Sequence, residues 1–72
     1  MVVAPVSGLV RDILVGAGDE VAAGQAVAVI EAMKMETTLV AARDGAVASV
    51  RTRTGEQVRA GDVVVELVEG DA

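Results

Sequence analysis

The pattern of apolar and polar positions predicts short strands joined by tight turns. No ten-residue window places apolar residues at i, i+3, i+4 and i+7 opposite a polar face, so helix is minor or absent. In the segment ending at Leu67, Glu66 points outward and places Val65 and Leu67 inward. Val10 and Ile13 are three apart rather than two, as are Val47 and Val50, which predicts a bulge or bend in each of those strands.

The same pattern is written twice. Moving the sequence 37 residues along itself superposes Ala4, Gly8, Val10, Gly18, Val21, Ala23, Gly24 and Val27 on Ala41, Gly45, Val47, Gly55, Val58, Ala60, Gly61 and Val64. Asp19 meets Glu56, Ile13 meets Val50 and Ile30 meets Leu67, and the offset turns Ala28 and Ile30 inward as well. An internal duplication over 4–31 and 41–68 is the economical explanation. Each copy reads as glycine turn, strand, Gly-acidic turn, short apolar segment, second glycine turn and strand. The matching acids are placed to accept backbone N–H bonds inside their turns. Two related four-strand halves predict an all-β fold, a flattened barrel or sandwich of two antiparallel sheets with quasi-twofold symmetry (a barrel-sandwich hybrid).

Length makes this one domain, 1–72, with a thin core, since a chain this short buries only about 60% of its unfolded surface. Cysteine and histidine are absent, which removes disulfides and the usual zinc ligands, so no metal site is expected. No aromatic residue is present, and an excess of Val and Ala suits narrow, closely packed layers. The net charge of −5 argues against nucleic acid and anionic membrane surfaces as partners, leaving basic clefts of proteins. No apolar run approaches a membrane span, and the first residues lack a basic stretch before an apolar one. A cytoplasmic protein is therefore expected, and Met1 directly before a strand leans towards a self-standing chain.

Lys34 is the sole lysine and falls between the copies, in Ala32 to Glu36, where a strand ending near Glu31 must turn into the strand Thr37 to Val40. The repeat thus puts it at a hairpin tip centred on 33–34. Read without their surroundings, a lone lysine is a solvated charge and Met33 and Met35 are flexible core filler. Arg51 and Arg53, two apart, read as solvated positions on one strand face.

The segment Glu31-Ala32-Met33-Lys34-Met35-Glu36 resembles the Ala-Met-Lys-Met attachment motif of biotin carboxyl carrier domains. The flanking repeat, with Ala4-Pro5 and Gly8, extends the likeness over nearly the whole chain. Those domains usually read Ala-Pro-Met-Pro-Gly near the start, where this chain has Ala4-Pro5-Val6-Ser7-Gly8; the departure leaves the tip untouched. Val15 to Val21 is too short for the protruding thumb of some acetyl-CoA carboxylase carriers, so the resemblance is to the thumbless kind.

The resemblance implies biotin bound covalently to Lys34 by a biotin protein ligase, with Met33, Met35, Ala32, Glu31 and Glu36 as recognition residues. It further implies a carboxyl group riding on a biotin ring nitrogen between biotin carboxylase and carboxyltransferase partners. For Glu31 and Glu36 a plain solvated role is equally open. The nearest rival is a lipoyl carrier, which typically shows Asp-Lys-Ala where this chain has Met-Lys-Met; an unmodified adaptor of the same fold is the second. A free-standing enzyme is disfavoured: without His or Cys, and with only Ser7 and Ser49 as serines, no nucleophile with its base can be assembled. No catalytic residue is therefore expected in the chain itself.

Overall fold

In a computed structural model the protein is described over residues 2–68; Met1 and residues 69–72, the outer ends of the expected 1–72 domain, lie outside the described residues. The described residues form eight strands and no helix: β1 (Val2–Val3), β2 (Gly8–Ile13), β3 (Glu20–Val21), β4 (Ala26–Ala32), β5 (Met35–Val40), β6 (Gly45–Val50), β7 (Gln57–Val58) and β8 (Val63–Leu67). They build two four-stranded antiparallel sheets, ordered β1-β8-β6-β3 and β5-β4-β2-β7. The all-β fold read from the sequence is the one observed.

The 37-residue offset governs the architecture down to single hydrogen bonds. It carries β2 onto β6 and β3 onto β7 residue for residue, and it turns the first sheet's strand order into the second's. Ala4 N–H donates to Asp62 O at 2.9 Å as Ala41 N–H does to Gln25 O at 2.9 Å. Gly18 N–H donates to Val47 O as Gly55 N–H does to Val10 O, each at 2.8 Å. Gly18, Gly24, Gly55 and Gly61 all have positive φ, which explains why glycine recurs at these turn positions.

The core obeys the same rule. Its buried residues fall into repeat-related pairs: Val2 with Leu39, Ala4 with Ala41, Val10 with Val47, Val21 with Val58, Val27 with Val64, Ala28 with Val65, and Ile30 with Leu67. Each interdigitating layer thus receives nearly equal volumes from both halves, which small residues without aromatic rings can fill. Val65, Leu67, Ala28 and Ile30 face inward as expected. Strict alternation would turn Val27 and Val64 outward, yet both are fully buried beside inward neighbours. The register slips at both places, between Ala26 and Ala28 and between Val2 and Val3 opposite β8, so a bulge lets two consecutive side chains point in. The two expected bulges are also present, between Val10 and Asp12 and between Val47 and Ser49.

Two sequence-based details need correction. Arg51 and Arg53 do not share a strand face, because β6 ends at Val50; Arg51 follows in a connection where its Nε lies 3.7 Å from Glu66 Oε1. Among the turn acids, Asp19 accepts Gly16 N–H at 2.8 Å and Asp62 accepts Arg59 N–H at 2.9 Å. Glu56 instead accepts the Thr52 hydroxyl at 2.6 Å. Its longer side chain reaches past the turn backbone to a hydroxyl that the first copy, with Val15 there, does not offer.

Candidate functional site

β4 and β5 pair in unbroken register from Ala28 and Leu39 to Ala32 and Met35, leaving Met33 and Lys34 alone as the connection. This is tighter than the Ala32 to Glu36 connection read from the sequence: Ala32, Met35 and Glu36 remain in the ladder. Met33 and Lys34 have φ of 53° and 70°. Positive φ at both positions of a two-residue loop is the signature of a type I′ turn, whose twist matches that of the strands and which ordinarily takes Asn-Gly. Side chains with a Cβ pay for this conformation with about 1–3 kcal/mol each. The tip is therefore strained at the two residues that carry its chemistry.

Lys34 is exposed, Met33 is 94% exposed and Met35 71% exposed. Neither methionine is core filler here. Two large apolar side chains held in water beside the sole lysine form a surface that only a contact with another molecule would cover.

Alternation gives the hairpin two unlike faces. Ile30, Ala32, Met35 and Thr37 share the inner face, where Ile30 closes the core and Ala32 continues beyond it. Glu31 and Glu36 lie directly opposite each other on the outer face. Like charges in that position repel, and the structure supplies the counter-ion: Arg11 Nη1 donates to Glu31 Oε1 at 3.0 Å, and its Nε lies 3.7 Å from Glu36 Oε2. Arg11 falls at the β2 bulge, between the paired residues Val10 and Asp12, and so is free to turn across β4. The hydrogen bond and charge of Glu31, with the charge of Glu36, raise the pKa of the guanidinium.

Sequence reasoning missed Arg11, although a signal was available. Its repeat position is Ala48, and that of Glu31 is Val68, so the ionic strap is a departure from the duplication confined to the half that bears Lys34. Gly8 is also part of the support. A Cβ there would stand 2.5 Å from Glu31 O and 2.8 Å from Ile30 Cγ2, so glycine is what lets β2 lie against the root of the hairpin.

As a chemical device the tip offers one exposed primary amine in an apolar setting. Among the described residues no His, Cys, Asp or Glu cluster able to hold a metal is found, and no polar side chain is buried without a partner. The amine suits amide formation with an activated carboxylic acid, and nothing around it obstructs a bulky acyl donor.

A family model described as "Biotin-requiring enzyme" matches residues 1–67. The chain is 46% identical over 63 residues to the mitochondrial propionyl-CoA carboxylase alpha chain of Homo sapiens, covering 88% of this chain and 9% of that one. It is 49% identical over 53 residues to the biotin/lipoyl attachment protein of Bacillus subtilis (strain 168), covering 74% and 73% of the two. Among solved structures, the urea carboxylase of Kluyveromyces lactis superposes with a TM-score of 0.88 at 34% identity, over 94% of this chain and 6% of that one. The lipoyl domain of the 2-oxoglutarate dehydrogenase complex of Azotobacter vinelandii does so with 0.77 at 26%, over 90% and 82%. The chain thus spans a small part of the carboxylases it matches and most of the length of the small attachment domains.

Proposed function

The chain belongs to the biotin/lipoyl attachment family, and from that premise we propose that Lys34 carries biotin as an amide. In this reading the domain moves a carboxyl group between the carboxylase and carboxyltransferase sites of a biotin-dependent enzyme. The observation that carries the proposal is the placement of the sole lysine at a strained, exposed hairpin tip between Met33 and Met35. The strain has no structural benefit, since Asn-Gly would make the same turn at lower cost, so a use for these side chains accounts for their retention.

Attachment is balanced chemistry in which the chain supplies only the nucleophile. The Nζ lone pair attacks the acyl carbon of a biotinyl adenylate, adenylate leaves, and the amine loses its proton. No side chain in the described hydrogen-bond network is placed to accept that proton from Lys34, so its removal falls to the biotin protein ligase. Met33, Met35 and Ala32 form the apolar contact for that enzyme, and Glu31 and Glu36, held by Arg11, its polar edge. Biotin, once attached, supplies the ring nitrogen that bears the carboxyl group. The tether raises its effective concentration at partner sites to the millimolar range.

Catalysis then belongs to the partners, and a cytoplasmic setting fits this role. Lipoate is disfavoured by the Met-Lys-Met tip, although a lipoyl domain shares the fold. Coexpression with a biotin ligase and separately with a lipoate ligase, read by intact mass, decides between them: a biotinyl adduct alone supports the proposal, and a lipoyl adduct alone refutes it.

A further inference from the structure

We infer that the biotin ring system has a resting groove on this domain, between the inner face of the β4–β5 hairpin and the connection from β1 to β2. The inference rests on the attachment reading above. The groove has a volume of about 400 Å³ and is lined by Val6, Ser7, Ala32, Met33, Met35 and Thr37. That volume lies in the ~300–1,000 Å³ range of small-molecule sites.

Its character separates it from the other hollows of the surface. A cavity of about 570 Å³ is lined in part by Glu20, Val21, Ala22 and Asp44, and one of about 490 Å³ by Gln57, Val58, Arg59 and Ser7. These sets are the same positions 37 residues apart, so both hollows are products of the duplicated scaffold, and their walls mix charged and polar residues with apolar ones. The hairpin groove breaks the repeat. Its wall residues Val6 and Ser7 correspond to Arg43 and Asp44 in the other half.

The wall opposite the hairpin is already in place. Ala4 is held to the β7–β8 turn in both directions, its N–H donating to Asp62 O at 2.9 Å and its O accepting from Gly61 N–H at 2.8 Å. Ser7 Oγ accepts Ala60 N–H at 3.2 Å, which leaves its own hydroxyl proton free to donate. A cyclic urea fused to a sulfur-containing ring matches this lining. The apolar ring and chain suit Val6, Met33, Met35 and Ala32, thioethers adapting readily to irregular shapes, and the urea carbonyl suits the hydroxyls of Ser7 and Thr37.

Two further facts select this occupant. Met33 and Met35, on either side of Lys34, form the lip of the groove, so an arm on the order of 15 Å long, from single-bond lengths, reaches all of it. At millimolar effective concentration even a weak contact is populated. The outer face of the hairpin, by contrast, carries Glu31 and Glu36 with Arg11 across them, a charged surface that suits the ring less.

Methyl NMR of the 72-residue chain before and after enzymatic biotinylation, with intact mass recorded on the same samples, tests this. The inference expects shifts at the methyls of Val6 and Thr37, and nuclear Overhauser contacts from the ring protons to Val6, 28 residues from the attachment point in sequence. Val6→Asp should erase those contacts and speed capture of the biotin by avidin about two- to fourfold, as for a ligand freed from a half to three-quarters docked state. A fully biotinylated chain whose shifts stop at Met33 and Met35, with Val6 unmoved, overturns the groove and leaves the attachment reading standing. Absence of any adduct overturns both.

Discussion

Arg11 donates from Nη1 to Glu31 Oε1 at 3.0 Å, across the junction of β2 and β4, from a position where the β2 ladder bulges. The contact is solvent-exposed, and ion pairs of that kind add little by themselves. Its significance lies in the neighbouring Glu36, which would otherwise face Glu31 with no counter-ion next to the attachment turn.

Arg11→Met is therefore predicted to lower the melting temperature slightly at low ionic strength. The difference from wild type should shrink near 1 M salt, where the Debye length is about 3 Å. The fold raises the guanidinium's pKa through the hydrogen bond and charge of Glu31 and the charge of Glu36, so Arg11 itself stays charged throughout the neutral and alkaline range. No loss of the wild-type advantage is expected as pH rises from neutral into the alkaline range below the ordinary guanidinium titration. Thermal melts across salt and pH check this; a salt-independent difference would show that Arg11 acts by packing.

Gly8→Ala and Gly45→Ala occupy the same position in the two repeats and should behave differently. The first forces a Cβ to 2.5 Å from a backbone oxygen, whereas the second meets the movable Arg43 Nη1 at 3.0 Å. Overpacking against backbone is predicted to cost about 1–3 kcal/mol at Gly8, with a clearly smaller loss at Gly45. Urea unfolding of both variants measures it.

Met33→Asn replaces a strained residue with one suited to positive φ and is predicted to stabilise the fold, by about 1 kcal/mol. The same change should raise the ligase KM if Met33 is a recognition residue. Stabilisation with unchanged ligase kinetics would assign Met33 no part in recognition.

Val10→Ala and Val47→Ala, a repeat pair buried to 1% and 2% exposure, should destabilise equally, by about 2 kcal/mol each from lost methyl burial and residual cavity. A difference well above 0.5 kcal/mol, the usual scatter of independent sites, would mean the halves are not energetically equivalent.

How much of this was legible in the sequence differs by residue. The repeat and its glycines carried the fold, because positive-φ turns at Gly18, Gly24, Gly55 and Gly61 admit few other residues. The burial of Val27 and Val64 was hidden, since a bulge that turns two neighbours inward depends on the register of the partner strand. The hairpin position of Lys34 followed from the duplication, but the two-faced character of the hairpin did not. Arg11, Val6 and Ser7 come close to it only through folding, from positions 20 or more residues away from the hairpin residues they meet. For those three the one clue in the sequence was that each differs from its own repeat counterpart.

The central claim is tested most directly by digesting ligase-treated protein with trypsin, which cuts after free lysine or arginine but not after an acylated lysine. If Lys34 carries biotin, the peptide from Asp12 to Arg43 remains whole and bears the biotinyl mass, and Lys34→Arg protein acquires none. Cleavage after Lys34 in protein that carries the adduct, or an adduct that survives in Lys34→Arg, would contradict the account.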